Sequence, residues 1–147
     1  MHRYVSQSID NPGHDAAPFQ RADLVLYGVD HSGPSFEARV FFNAPDANVS
    51  TARDDAAFAG SFTVFGHAGC AGDAGHCDVP TGPRDPFDRR PPHALTPQTK
   101  TVIVTDALRR VTDPELVITI VAVAPGGDGP IESDALRLES FRLLTFD

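Results

Sequence analysis

Both cysteines of this chain and two of its six histidines fall within one stretch, Phe58 to Pro80, which reads FAGSFTVFGHAGCAGDAGHCDVP. Six residues separate Cys70 from Cys77, and four of them are Ala or Gly. Three chemistries are open to such a set. The first is a disulfide between Cys70 and Cys77, which requires the two Cα atoms to come within roughly 7 Å. It would stabilise the fold by at most about 2–3 kcal/mol and would mainly fix the shape of the loop. The second is a copper or zinc centre built from His67, Cys70, His76 and Cys77, because imidazole and thiolate ligands suit both metals and four of them complete a tetrahedron. The spacing H-x2-C-x5-H-C then requires the backbone to turn at His76-Cys77, since adjacent side chains on extended backbone point to opposite sides. The third is a glycine-rich surface loop with two thiols and solvent-facing histidines.

Other catalytic patterns are missing from the sequence. It contains no glycine-rich phosphate loop ahead of a helix, no G-x-S-x-G elbow and no H-E-x-x-H pair. Asp54-Asp55 and Asp85/Asp88 are carboxylate pairs, but pairs of this kind in Pro- and Ala-rich surroundings read as loop solvation. His93, between Pro92 and Ala94-Leu95, reads as a packing or hydrogen-bonding residue.

The elements that must hold the cysteine stretch are strands. Residues Met1 to Ala22 are polar, carry a turn signal at Asn11-Pro12-Gly13, and are expected to form an arm or an irregular edge segment; the domain proper is expected over 23–147. Leu24 to Val29 is a run of β-formers, apolar in both phases. Ser35 to Asn43 alternates, with Phe36, Ala38, Val40 and Phe42 on a core face and Glu37, Arg39, Phe41 and Asn43 on the other. Phe41 is the exception on that second face: either another layer covers it or it marks a contact surface. Ala44 to Ala59 is a loop with one short helical turn near Arg53 to Phe58. From Gly60, Phe62 and Val64 take one face while Thr63, Phe65 and His67 take the other, so Phe65 is the second candidate for partner contact.

Six of the thirteen prolines lie between Pro80 and Pro97, which predicts a stiff extended crossing. Thr99 to Thr105 is a β-branched strand. Thr105-Asp106 then predicts an N-cap for a short helix over Ala107 to Val111. Leu116 to Val123 is apolar in both phases, as a central strand would be. In Leu136 to Phe146 the phase slips at Glu139-Ser140, from Leu136/Leu138 to Phe141/Leu143, which a β-bulge or a strand covered on both sides would explain. The expected fold is all-β: an antiparallel β-sandwich of about six to seven strands with a short helix in one crossover.

A net charge of −8 and the scarcity of clustered basic residues argue against nucleic acid and acidic membranes. No run approaches the roughly 20 apolar residues that span a bilayer. With no apolar stretch following the basic residue of MHRYVSQSIDNPGHD, the expected location is the cytoplasm, export together with a partner being the alternative. The absence of Trp and the presence of only two Tyr disfavour a carbohydrate-binding platform, one form of a generic recognition module.

The segments SFEARVFFNAPDA, FAGSFTVFGHAGCAGDAGHCDVP, RDPFDRRPPHALTPQTKTVIVTDALRR and RLESFRLLTFD together resemble the C-terminal β-sandwich region of bacterial tyrosinase-family proteins. That is the type-3 dicopper superfamily of hemocyanins and polyphenol oxidases. Leu24 to Asp147 carries the resemblance, and the cysteine loop followed by RDP and RPPH is its most specific part. The family's dicopper centre uses six histidines on a helical bundle, including an H-x-x-x-H pair. Here His2, His14, His31, His67, His76 and His93 contain no such pair, so the chain is expected to hold no catalytic residues and to require no cofactor of its own. The resemblance implies an accessory sandwich working with a helical, histidine-rich dicopper oxidase, with copper in that partner. It would cover or shield the partner's active site or help load its copper. The alternatives are a separate copper- or zinc-binding protein using the His/Cys loop, and a generic protein- or carbohydrate-recognition sandwich.

Overall fold

The computed structural model describes residues 2–14, 18–68, 83, 86–87, 97–126, 129–131 and 134–147. The elements run β1 (Arg3–Val5), β2 (Ile9–Asp10), β3 (Arg21–Val29), β4 (Phe36–Phe42), β5 (Phe58–Val64), β6 (Gln98–Ile103), α1 (Thr105–Arg110), β7 (Glu115–Leu116), β8 (Ile118–Val123) and β9 (Ser140–Phe146). They form a four-stranded antiparallel sheet in the order β1-β8-β4-β5 and a three-stranded one in the order β6-β3-β9. The short β2 and β7 pair with each other. This is the expected all-β sandwich with one short helix. The polar N-terminal segment supplies β1, which joins the first sheet as an edge, and the start of β3.

Strand phase decides the core. Ala38 and Val40 of β4, Ile118, Ile120 and Ala122 of β8, and Phe62 and Val64 of β5 face Ala22, Leu24 and Leu26 of β3 and Val102 of β6 in one buried cluster. Each fully buried Leu, Ile or Phe contributes about 1.5–3 kcal/mol relative to exposure, so this seam dominates stability. At the side where β1 and β9 come together, the half-buried Tyr4 meets Phe141 edge to face, with ring centroids 6.3 Å apart.

The two-phase apolar pattern of Leu116 to Val123 has a structural reason. β8 is a central strand whose second face is covered by the connection between β4 and β5. Val121, Val123 and Phe41 pack there against Ala44, Ala47, Val49, Ala57 and Phe58. Within that connection the stretch before β5 forms hydrogen-bonded turns instead of a helical turn: the Asp55 amide donates to the Ala52 carbonyl and the Phe58 amide to the Asp55 carbonyl.

Two further details differ from the sequence expectation. The helix is capped by Val104 with no side-chain bond, because the Thr105 hydroxyl accepts the Ala22 amide at 2.9 Å and ties the helix start to β3. The phase slip at Glu139-Ser140 is the beginning of β9, and β9 itself pairs with β3 in unbroken register from Ser140 to Phe146. The irregularity falls on β3, whose pairing with β6 shifts between Leu26 and Val29, around Gly28 at φ +67°. A Cβ on Gly28 would sit 2.3 Å from Cγ of Glu139, so the close approach of β9 requires glycine there.

Candidate functional site

The cysteine stretch leaves the sandwich at the end of β5, and its described residues beyond that strand, 65–68, are laid against the turn after β3. The Gly66 amide donates to the Ser35 hydroxyl at 2.9 Å. The His67 amide donates to the His31 carbonyl and the Ala68 amide to the Gly33 carbonyl, both at 3.0 Å. These bonds draw the two backbones so close that a Cβ on Gly66 would lie 2.2 Å from the Gly33 carbonyl oxygen and the Pro34 carbonyl carbon. Only glycine fits.

This clamp fixes three rings in a row. Phe65 meets His67 edge to face at 5.6 Å, and His67 meets His31 edge to face at 4.9 Å. His31 is buried at 7% exposure, whereas Phe65 is 78% exposed. Nδ1 of His67 lies 3.2 Å from the His31 carbonyl, so it carries the proton if it donates there. Nδ1 of His31 lies 3.3 Å from the Gln98 amide nitrogen at the start of β6. The turn is braced by Asp30, whose Oδ1 accepts the Ser32 amide at 2.8 Å. That amide bond, opposed by partial burial and helped by the Ser32 side chain and the nearby charge of Arg137, holds the Asp30 carboxyl below the ordinary aspartate value.

The two partner-contact candidates from the sequence part ways here. Phe65 is presented to solvent, next to the hydrogen-bonded backbone of residues 66–68. Phe41 is fully buried at 0% exposure under the β4–β5 connection, with its ring 5.7 Å from that of Phe58. Of the two alternatives for Phe41, the covering layer is the one realised, and this residue offers no surface to a partner. Cys70, His76 and Cys77 lie outside the described residues, as do His93, Asp85, Asp88 and most of the proline-rich crossing. Among the described residues no group of three or more His, Cys, Asp or Glu could hold a metal ion. His31 and Gln98 were not distinguished by any motif. Their one sequence signal is position, His31 directly before Ser32-Gly33-Pro34 and Gln98 directly after the last proline of the crossing.

The layer over Phe41 also hides a charged group. Glu37 and Arg39 share the phase of Phe41 on β4 and are buried at 6% and 8% exposure. Arg53 reaches in from the covering connection, its guanidinium 2.7 Å from Oε2 of Glu37, while Nε of Arg39 lies 3.4 Å from Oε1. Sequence alternation alone places these residues on the face away from the core phase, without showing what covers it. The Asp54-Asp55 pair sits in the same connection, where Oδ1 of Asp55 accepts the Ala57 amide at 2.8 Å, a turn-forming role.

An open groove of about 400 Å³ is lined by Ser8, Asn43, Asp113 and Glu115, among others. Its polar groups bond one another: the Ser8 hydroxyl donates to Glu115 at 2.9 Å, and Asn43, at φ +52°, accepts the Val117 amide at 2.8 Å and donates to Asp113 at 3.3 Å. Those bonds make it a structural bracket between β4 and β7.

No protein-family model matches the chain, and no curated protein matches it in sequence. Solved structures do match in fold. The chain is similar to recombinantly expressed latent aurone synthase, a polyphenol oxidase, with a TM-score of 0.56 and 14% identity over 99% of this chain and 24% of that one. Latent aurone synthase from its natural source is similar with a TM-score of 0.54 and 15% identity, again over 99% of this chain and 24% of the other. The fold of this chain therefore recurs as about a quarter of the length of polyphenol oxidase chains.

Proposed function

We propose that this chain is a non-catalytic accessory β-sandwich that acts with a tyrosinase-like dicopper oxidase. In this reading the partner is a helical, histidine-rich protein that holds the copper, and the sandwich covers its active site or assists in loading the metal. The observation that carries the reading is the fold likeness: nearly all of the chain corresponds to a quarter of a latent polyphenol oxidase. The exposure of Phe65 adds to it, since aromatic side chains are enriched among the anchors of protein contacts.

The test mixes the purified chain with a helical dicopper phenol oxidase that lacks its own sandwich and follows diphenol oxidation. At about 10 μM of each, a micromolar complex is well populated. The expected result is a complex with suppressed oxidation, and recovery of activity with Phe65→Ala. Full activity together with no complex would overturn the reading.

A second reading is favoured by one detail of geometry. A metal-ligating histidine ordinarily donates its other ring N–H to a carbonyl or carboxylate, which sets the ring and its tautomer. Nδ1 of His67 stands in that relation to the His31 carbonyl. A copper or zinc centre from His67 with Cys70, His76 and Cys77 is the corresponding proposal. Elemental analysis after mild purification tests it, with about one equivalent of metal expected and its loss expected in Cys70→Ser.

A further inference from the structure

Every open sheet offers two edges of unpaired backbone groups, and native proteins blunt them with short strands, bulges, inward-pointing charges or cover. Among the described strands, three of the four edges of the two larger sheets are blunted. β1 is three residues long. β5 carries a register shift against β4 between Val40 and Phe41, beside Gly60 at φ +155°. β6 lies alongside β5, has its own register shift, and places Lys100 opposite the core residue Leu26.

Among the described residues β9 has none of these devices. Its seven residues, SFRLLTF, pair with β3 without interruption and include no Pro, Gly or Lys and a single charge, Arg142. Among the described residues no strand pairs with its other side. Phe141 and Leu143, which point to the core, remain half-buried there, and Leu144 and Phe146 on the outer face are 38% and 45% exposed.

We propose that the free edge of β9 is a self-association site, where β9 strands of two copies pair antiparallel and join two three-stranded sheets into one of six strands. The sequence is self-complementary in the register that centres on Leu144. Leu144 then faces its counterpart, Arg142 lies opposite Phe146 of the second copy, and Leu143 lies opposite Thr145, so no two like charges are directly opposed. Arg142 over a Phe146 ring adds a cation–π contact. The two-fold closes the assembly at two copies instead of propagating a fibre. The site lies on the far side of the second sheet from β6, and β6 is the strand beside β5 and Phe65. Self-association therefore leaves the proposed anchor uncovered.

Two strands bury less than the roughly 1,200 Å² of a standard interface, so the dimer is weak and concentration-dependent. Sedimentation equilibrium of the full chain from about 5 to 500 μM should move from monomer to dimer with a Kd of about 10–100 μM. Leu144→Lys sets a charge at the two-fold and should weaken the dimer by more than about tenfold, a loss of over about 1.4 kcal/mol. Ile103→Lys places the same charge on the same outer face, on β6, and should leave it intact. Amide exchange on the wild type gives a second readout, with slowing confined to β9 at high concentration. A chain that stays monomeric throughout, or a dimer that responds to Ile103→Lys and not to Leu144→Lys, overturns the proposal.

Discussion

His31 and His67 stand 36 positions apart, yet their imidazoles meet edge to face at 4.9 Å, with the His31 carbonyl accepting the His67 amide at 3.0 Å. The contact fastens the start of the cysteine stretch to the turn after β3. It is the base on which Phe65 stands.

Removing the buried ring should loosen that base. His31→Ala is expected to lower stability by about 1–3 kcal/mol, because it deletes a buried ring and its contact with His67. Gly66→Ala should cost about as much for a different reason, as its methyl meets the Gly33–Pro34 backbone. Urea denaturation of both variants gives the comparison; an unchanged midpoint for Gly66→Ala would show that the two segments are not in contact.

Phe41 and Phe65 give a matched pair of opposite outcomes. Phe41→Ala empties a fully buried site and should destabilise by about 3–5 kcal/mol. Phe65→Ala, on a ring exposed to solvent, should stay within about 0.5 kcal/mol of the wild type while abolishing the suppression proposed for a dicopper partner. Thermal melts together with the diphenol assay separate the roles. A large stability loss from Phe65→Ala would mean that the ring is structural.

Arg53→Met leaves Glu37 buried without its 2.7 Å partner, with Arg39 remaining nearby. A loss of about 1–3 kcal/mol is expected, since the abandoned carboxylate still bears its desolvation cost. Adding Glu37→Met and Arg39→Met together, so that no charge of the cluster stays buried without its counter-charge, should restore part of that loss, which urea denaturation of the series would measure. Equal or greater loss in the triple variant would contradict a compensated ion cluster under the β4–β5 connection.

Acid should weaken the clamp through Asp30. Its carboxyl is held below the ordinary aspartate value mainly by the Ser32 amide, so the folded state favours the ionised form. Its stabilising contribution is complete above the unfolded-state pKa and disappears as pH falls through the lower folded-state pKa, in the region of about pH 4 and below. Asp30→Asn should reduce stability near neutrality and flatten the acid limb. Urea midpoints at about pH 6 and about pH 3 provide the check.

What could be read in the sequence was whatever depends on near neighbours. The alternation of Phe36, Ala38, Val40 and Phe42 identified the core face of β4, and the double apolar phase of Leu116 to Val123 identified a central strand. Phe65 at the end of a strand, on the solvent side, was equally visible. What escaped depended on chain crossing from a distance. Glu37 and Arg39 follow an outward phase, and their burial is a property of the connection that folds back over β8. Thr105 has the chemistry of a cap, but the Ala22 amide, 83 positions away, takes its hydroxyl. His31 became part of a site only because β3 and β5 end at the same place.

The contact between Tyr4 and Phe141 has a practical consequence. The chain has no tryptophan and two tyrosines, so its tyrosine emission, excited above the phenylalanine absorption, comes from Tyr4 and Tyr27. Tyr27 lies on the central strand of the three-stranded sheet, whereas Tyr4 stands where β1 and β9 approach, half-buried against a ring from the opposite sheet. A Tyr27→Phe variant, excited above the phenylalanine absorption, would leave a single emitting tyrosine at that border. Its quenching by added iodide would follow the loosening of this rim in real time, with no label attached.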